Sequence, residues 1–171
     1  MKFLALIAML ISTSVMAKTL PPFSLPQMNA TPVGTMFDSE NNHGRVWLIE
    51  NYYNACSYCN ANAPMVNSLA DFYKDNTRIL FVDLGIDRTD NLYQSWISKH
   101  SPNHPVLKDA SRVVTNVLGT QGYPTSYIIS CNMEILWSHE GSWDASTVDE
   151  IKSKIASALT EVCPLPAFYQ E

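Results

Sequence analysis

Two cysteines with two residues between them, Cys56 and Cys59 in "NYYNACSYCNANAP", are open to three kinds of chemistry. They can exchange disulfides with a substrate, hold half of a metal site, or staple a short ring. The surrounding residues favour the first. Apolar and aromatic side chains precede the pair and helix-compatible ones follow it, so Cys56 stands where a strand hands over to a helix. Unpaired N–H groups and the positive end of the helix dipole favour a thiolate there, and the thiolate is the nucleophile of disulfide exchange. Cys59, one turn further in, is expected to be more buried and slower to react. A zinc site needs two more ligands, yet Cys131 and Cys163 stand alone and His43, His100, His104 and His139 make no short-spaced pair with a cysteine. No metal and no cofactor is therefore expected. A staple of this spacing would constrain little chain entropy. A non-enzymatic alternative stays open: a periplasmic carrier holding Cu(I) between two soft thiolates.

The elements that must position the pair can be read from apolar periodicity. "RVWLIENYY" and "RILFVDLGI" are continuous apolar runs of strand length, which predicts two central strands covered on both faces. Met65, Leu69, Phe72 and Tyr73 recur at helical spacing after the cysteines, and Pro64 falls inside that helix, where it should bend it. "DNLYQSWISKH" predicts a helix opening on Asp90, "HPVLKD" a short extended piece and "SRVVTNVLG" another helix. "PTSYIIS" and "MEILWSHEG" predict a hairpin turning around Cys131 and Asn132. "DASTVDEIKSKIASALTEV" closes the domain as an amphipathic helix with Val148, Ile151, Ile155 and Leu159 on one face, ahead of a Pro-broken tail. "KTLPPFSLPQMNATPVGTMFDSENNHG", rich in Pro, Asn and turn formers, reads as a lead-in with short extended pieces at most. Strand–helix alternation followed by a hairpin and a last helix implies an α/β domain: a central mixed sheet flanked by helices.

Residues 1–17, "MKFLALIAMLISTSVMA", carry one Lys, an apolar run from Phe3 to Ile11 and small or apolar residues at Val15-Met16-Ala17. This predicts a secretory signal peptide cleaved after Ala17, with a single domain over 18–171. The run is too short to span a bilayer, so no membrane span is expected after cleavage. Without Lys2 the chain is one charge more negative than its full-length −5, which argues against nucleic acid or anionic membrane surfaces as partners. Export would place all four cysteines where disulfides persist. The four histidines read as ordinary surface or turn residues, and Trp47, Trp96, Trp137 and Trp143 as packing.

Together these segments resemble the thioredoxin-like proteins of the periplasmic TlpA/ResA/DsbE type. The likeness runs from about Leu20 to Leu159 and rests on "PPFSLP", "VWLIENYYNACSYC", Pro64 five residues after the second Cys, "LFVDLGID", an inserted helix and strand before "VLGTQGYPTSYII", and the closing "EGSWD" with its helix. The resemblance implies a thioredoxin-like fold with the TlpA-type inserted helix and strand, and a cis-proline at Pro124 facing the cysteines. Tyr123 would pair its backbone with an extended substrate, in a groove that also includes Thr125, Ser57 and Tyr58. Glu50 matches the position of a buried acid beneath the second thiol; a carboxylate in a buried strand has a raised pKa and suits the Cys59 proton. Two departures are Ala55, where the family usually has Trp before the first Cys, and Ser57-Tyr58, where these reductases often have a Pro.

The implied activity is thiol–disulfide exchange in the periplasm on disulfide-containing exported proteins, with a membrane thiol donor restoring the dithiol. No Lys, Arg or His lies between Val46 and Tyr73, so only the helix terminus lowers the Cys56 pKa, which points to a reductant. An oxidase or isomerase remains an alternative: Cys-x-Tyr-Cys looks like the DsbC/DsbG group, although the lead-in is too short for their dimerisation domain. A peroxidase of the peroxiredoxin kind is disfavoured by Ile49 and Tyr53, where Pro and Thr are expected. In the thioredoxin-like arrangement Cys131 and Cys163 should meet on the face opposite the active site as a structural disulfide, provided their Cα atoms lie within about 7 Å.

Overall fold

Val46–Tyr52 and Ile79–Gly85, the two continuous apolar runs, are strands buried along their whole length. The computed structural model to which they belong describes residues 18–163, so the expected signal peptide and residues 164–171 of the tail lie outside the described residues. In chain order the strands are β1 (Ser24–Gln27), β2 (Thr35–Asp38), β3 (Val46–Tyr52), β4 (Ile79–Gly85), β5 (Val106–Lys108), β6 (Thr125–Ile129) and β7 (Ile135–Glu140). The helices are α1 (Ser57–Phe72), α2 (Asp90–His100), α3 (Val113–Leu118) and α4 (Ala145–Ala158). One seven-stranded sheet runs in the order β2-β1-β5-β4-β3-β6-β7. β3, β4 and β5 are parallel, and antiparallel strands extend the sheet on either side.

Strand alternation sorts the core into two layers. Trp47 and Ile49 of β3 pack with Val82, Leu84, Leu107 and Val114 on one face. Val46 and Leu48 pack with Val66, Leu69, Ile151 and Ile155 of α1 and α4 on the other. A third cluster at the C-terminal end of β3 joins Tyr52, Cys56, Cys59, Ala63, Tyr93 and Trp96, bringing α2 against the start of α1. Gly85 permits that approach: a Cβ there would sit 2.5 Å from the Tyr93 ring and 3.0 Å from Tyr52. Among the described residues no helix is long and apolar enough to cross a membrane.

The short extended pieces expected in the lead-in are present and do more than lead in, and one side chain of α1 lies outside its buried face. The lead-in contributes to the sheet and core: β1 and β2 form a hairpin, β1 bridges to β5 at Gln27 and Leu107, and Leu20, Leu25 and Phe37 pack around Trp47. Pro and Asn obscure these strands in the sequence: Asn29 and Pro32 lie in the turn between them, while Pro26 stands within β1 itself, opposite Met36. On α1, Phe72 is 68% exposed rather than part of the buried face, which consists of Cys59, Asn62, Ala63, Val66, Leu69 and Ala70. Phe72 instead lies beneath the Lys152 ammonium, 5.1 Å from its ring centroid, a cation–π contact at the helix edge. Pro64 lies inside α1.

Candidate active site

The first turn of α1 is organised around sulfur. Cys56 is the helix N-cap, and its Sγ accepts a hydrogen bond from the Cys59 amide at 3.0 Å. An N-cap normally uses a Ser, Thr, Asp or Asn oxygen to satisfy that orphan donor. A sulfur that kept this donor on reduction would be favoured as a thiolate by the backbone itself. Cys56 and Cys59 form a disulfide with Cα atoms 5.2 Å apart. Only 4% of Cys56 and 1% of Cys59 is exposed, whereas Ser57 and Tyr58 between them stand out into solvent.

The loop before β6 supplies the facing wall. The Tyr123–Pro124 peptide is cis, and the Tyr123 carbonyl lies 3.7 Å from Cys56 Sγ. Tyr123 also meets Tyr53 edge to face at 5.5 Å, while Tyr53 O accepts the Cys56 amide at 3.1 Å. Ser57 and Tyr58 thus lie exposed between the two cysteines, and the carbonyl of the Tyr123–Pro124 cis peptide faces Cys56. Thr125 does not line the groove with its side chain: it is buried, its hydroxyl donates to Gly122 O at 2.8 Å, and its backbone registers with Asn51 and Glu140 within the sheet.

Glu50 is 2% exposed, on the same face of β3 as Val46 and Leu48 and beneath α1. Asn62, one turn beyond Cys59, donates to one carboxylate oxygen at 3.0 Å, and Ser126 of β6 donates to the other. Asn62 accepts the Trp143 amide and Ser126 accepts the Trp143 indole N–H, so the segment before α4 locks both donors. Burial pushes the Glu50 carboxyl up to about 7; the two hydrogen bonds oppose the rise and Asp83, its register partner on β4, adds to it. A group poised there exchanges protons at neutral pH.

This shift has a sign that can be checked. Between the ordinary value of 4.5 and about 7, the folded protein holds a proton that the unfolded chain has already released. Stability should therefore fall as pH rises through that window and level off above it. Glu50→Gln removes the buried charge, so the fall between pH 5 and pH 8 should shrink by about 2–3 kcal/mol in urea unfolding. An equal fall in the variant would show that the carboxyl does not titrate there.

Asn60, Asn62, Ser126, Asp83 and two histidines were not singled out from the sequence as parts of the site. His104 is buried rather than on the surface, its Nε2 3.0 Å from Asp83 Oδ1, and Trp96 donates to the other Asp83 oxygen at 2.8 Å. A carboxylate in the run "LFVDL" was the available signal, because a buried acid needs partners. His100 packs on Trp96 with ring centroids 4.3 Å apart, and burial, followed by Lys99, pulls its pKa down. His100 and Lys99 both contact Asn60 Oδ1, whose Nδ2 donates to the carbonyls of Asn54 and Cys56 at 2.8 Å. The fold thus brings two basic residues to the active-site turn that local sequence lacks, and they address the Cys56 carbonyl through Asn60. Among the described residues no three His, Cys, Asp or Glu side chains are grouped to hold a metal.

At the other end of the sheet Cys131 and Cys163 form a second disulfide, with Cα atoms 5.6 Å apart and Cys131 fully buried. β6 runs from Pro124 towards Cys131, which places the two disulfides at opposite ends of that strand.

The sequence matches the AhpC/TSA family over residues 16–138. No curated protein matches it. Among solved structures it is similar to a Chlorobium tepidum protein assigned as a thiol:disulfide interchange protein DsbE, at 21% identity and a TM-score of 0.73 over 84% of this chain and 96% of that one. A Neisseria meningitidis protein assigned as a thioredoxin gives 27% identity and a TM-score of 0.70 over 84% and 91%. A secreted Mycobacterium tuberculosis disulfide oxidoreductase, homologous to DsbE of E. coli, gives 21% and 0.65 over 79% and 95%. The fold is thioredoxin-like, a mixed sheet flanked by helices.

Proposed function

This chain belongs to the AhpC/TSA family, and on that premise we propose that it is a periplasmic thiol–disulfide oxidoreductase that reduces disulfides of exported proteins. The observation that carries the reading is Cys56 Sγ serving as the N-cap of α1, bonded by the Cys59 amide and facing the Tyr123 carbonyl.

In the reducing direction the Cys56 thiolate attacks one sulfur of a substrate disulfide, forming a mixed disulfide and releasing the other substrate sulfur as a thiolate. Cys59 then gives its proton to Glu50, attacks Cys56 Sγ and releases the second substrate sulfur. Two electrons pass from the dithiol to the substrate, leaving Cys56–Cys59 oxidised. A membrane-held thiol donor returns them by the same exchange. Tyr123 and Pro124, with Ser57 and Tyr58, form the groove, and an extended substrate segment pairs with the Tyr123 backbone.

The direction rests on how little stabilises the reduced form. The Cys59 amide and the helix terminus act on the Cys56 sulfur, and Lys99 and His100 reach only the far side of Asn60. Residues 1–17 supply the export signal, cleaved after Ala17. Equilibration in graded thiol–disulfide buffers, with thiols trapped and counted by mass, tests the proposal: the Cys56–Cys59 couple should lie near the thioredoxin end of the scale, about −270 mV. A value near the oxidising end, about −120 mV, would make it an oxidase or isomerase. A pair that does not cycle would point to the copper-carrier alternative.

A further inference from the structure

A cleft of about 410 Å³ is lined in part by Tyr53 and Tyr123, the two residues whose carbonyls lie against Cys56. Ile86 and Leu92, with the two tyrosine rings, give it apolar walls, and Arg88 and Arg112 bring two guanidinium groups to it. Both arginines are exposed, and among the described residues neither makes an ion pair or a side-chain hydrogen bond. Acidic residues are near, but each is engaged elsewhere. Asp87, also at the cleft, accepts the Asn54 amide at 2.8 Å. Asp90 pairs with Lys108. Asp109 accepts the Val113 and Thr115 amides and the Thr115 hydroxyl. In a chain of net charge −5, two guanidiniums without an ion pair stand at an apolar cleft whose one acidic lining residue, among the described residues, is Asp87.

Resting on the oxidoreductase reading above, we propose that this cleft selects the substrate: it takes a polypeptide segment carrying a large apolar side chain next to a carboxylate, close in sequence to the cysteine under attack. The Tyr123 carbonyl beside Cys56 Sγ places the cleft within a residue or two of the exchanged sulfur along an extended chain, at about 3.4 Å per residue. Ile86, Leu92 and the tyrosines receive the apolar side chain, and Arg88 and Arg112 receive the carboxylate, for which a guanidinium is geometrically suited.

The test uses short peptides whose single cysteine is a neutral thiopyridyl mixed disulfide, so that thiopyridone release reports attack by the reduced protein. Peptides with Phe-Asp, Phe-Lys and Ala-Asp beside the cysteine are compared by the second-order rate constant of thiopyridone release in a single turnover. Phe-Asp should exceed Phe-Lys by about tenfold at low salt, the scale of two partly exposed ion pairs, and the ratio should shrink at high salt. Ala-Asp should fall behind Phe-Asp by a similar factor, since an aromatic side chain is lost from the apolar wall. In the Arg88→Glu/Arg112→Glu variant the Phe-Asp over Phe-Lys ratio should invert. Equal rates for all three peptides, or an acidic preference that survives the double substitution, would overturn the proposal while thiopyridone release leaves the oxidoreductase reading standing. No release from any peptide by the wild-type protein would instead sink that reading.

Discussion

Cys59→Ser, reduced and mixed with a disulfide-containing exported protein, should accumulate a covalent adduct through Cys56 that survives alkylation and disappears on addition of dithiothreitol. Cys56→Ser should form none. The asymmetry follows from the first turn of α1. Cys56 Sγ occupies the N-cap and holds the Cys59 amide, a donor that would favour a thiolate there on reduction, whereas Cys59 lies inward at 1% exposure. That arrangement supports the proposed roles, attack by Cys56 and release by Cys59. Without the second thiol the mixed disulfide has no internal route out, and turnover should fall by on the order of 10³-fold or more, as when a covalent nucleophile's partner chemistry is removed. Non-reducing gels followed by mass spectrometry of the adduct read the outcome directly. Adducts on Cys59 in the Cys56→Ser variant would reverse the assignment of the two sulfurs.

Replacing both Cys131 and Cys163 with Ser should lower the unfolding free energy by about 3–4 kcal/mol, because the second disulfide closes a long loop in the unfolded chain. The two residues are 32 apart in sequence, and the loop they enclose contains β7 and α4, which pack Ile151 and Ile155 onto the sheet. In the unfolded state the intact link would restrict just that stretch. Urea unfolding of the oxidised wild type and the double variant gives the difference, and thiol-buffer titration should give the same Cys56–Cys59 potential in both, since the two disulfides lie at opposite ends of β6. A loss below about 1 kcal/mol would mean that the link contributes little to the fold, and a shifted potential would mean that it communicates with the active site.

Much of the architecture was legible because it depends on local pattern. Continuous apolar runs mark strands that need cover on both faces, and β3 and β4 are buried throughout as that composition requires. α2 spans Asp90–His100, the segment that Asp90 and its helical periodicity mark out. Cys56 at a strand-to-helix junction follows from the same reading, since the change of periodicity falls at the cysteines. β1 and β2 were legible only as short extended pieces: each is four residues long, and their place in the sheet comes from partners distant in sequence, Trp47 and Leu107 among them.

The sequence by itself determined the spacing of Cys56 and Cys59, their place where a strand hands over to a helix, and the apolar face of α4, because spacing and periodicity are properties of neighbours along the chain. Only the tertiary structure decided what surrounds that chemistry. Glu50 has its raised pKa because α1, β6 and β4 bury it, with Asp83 adding to the rise and the hydrogen bonds from Asn62 and Ser126 only partly opposing it. Lys99 and His100 reach the active-site turn across some forty residues. His104 left the surface for Asp83, and Arg88 and Arg112 meet at one cleft. Burial and long-range contact set those properties, and neither is encoded at any single position.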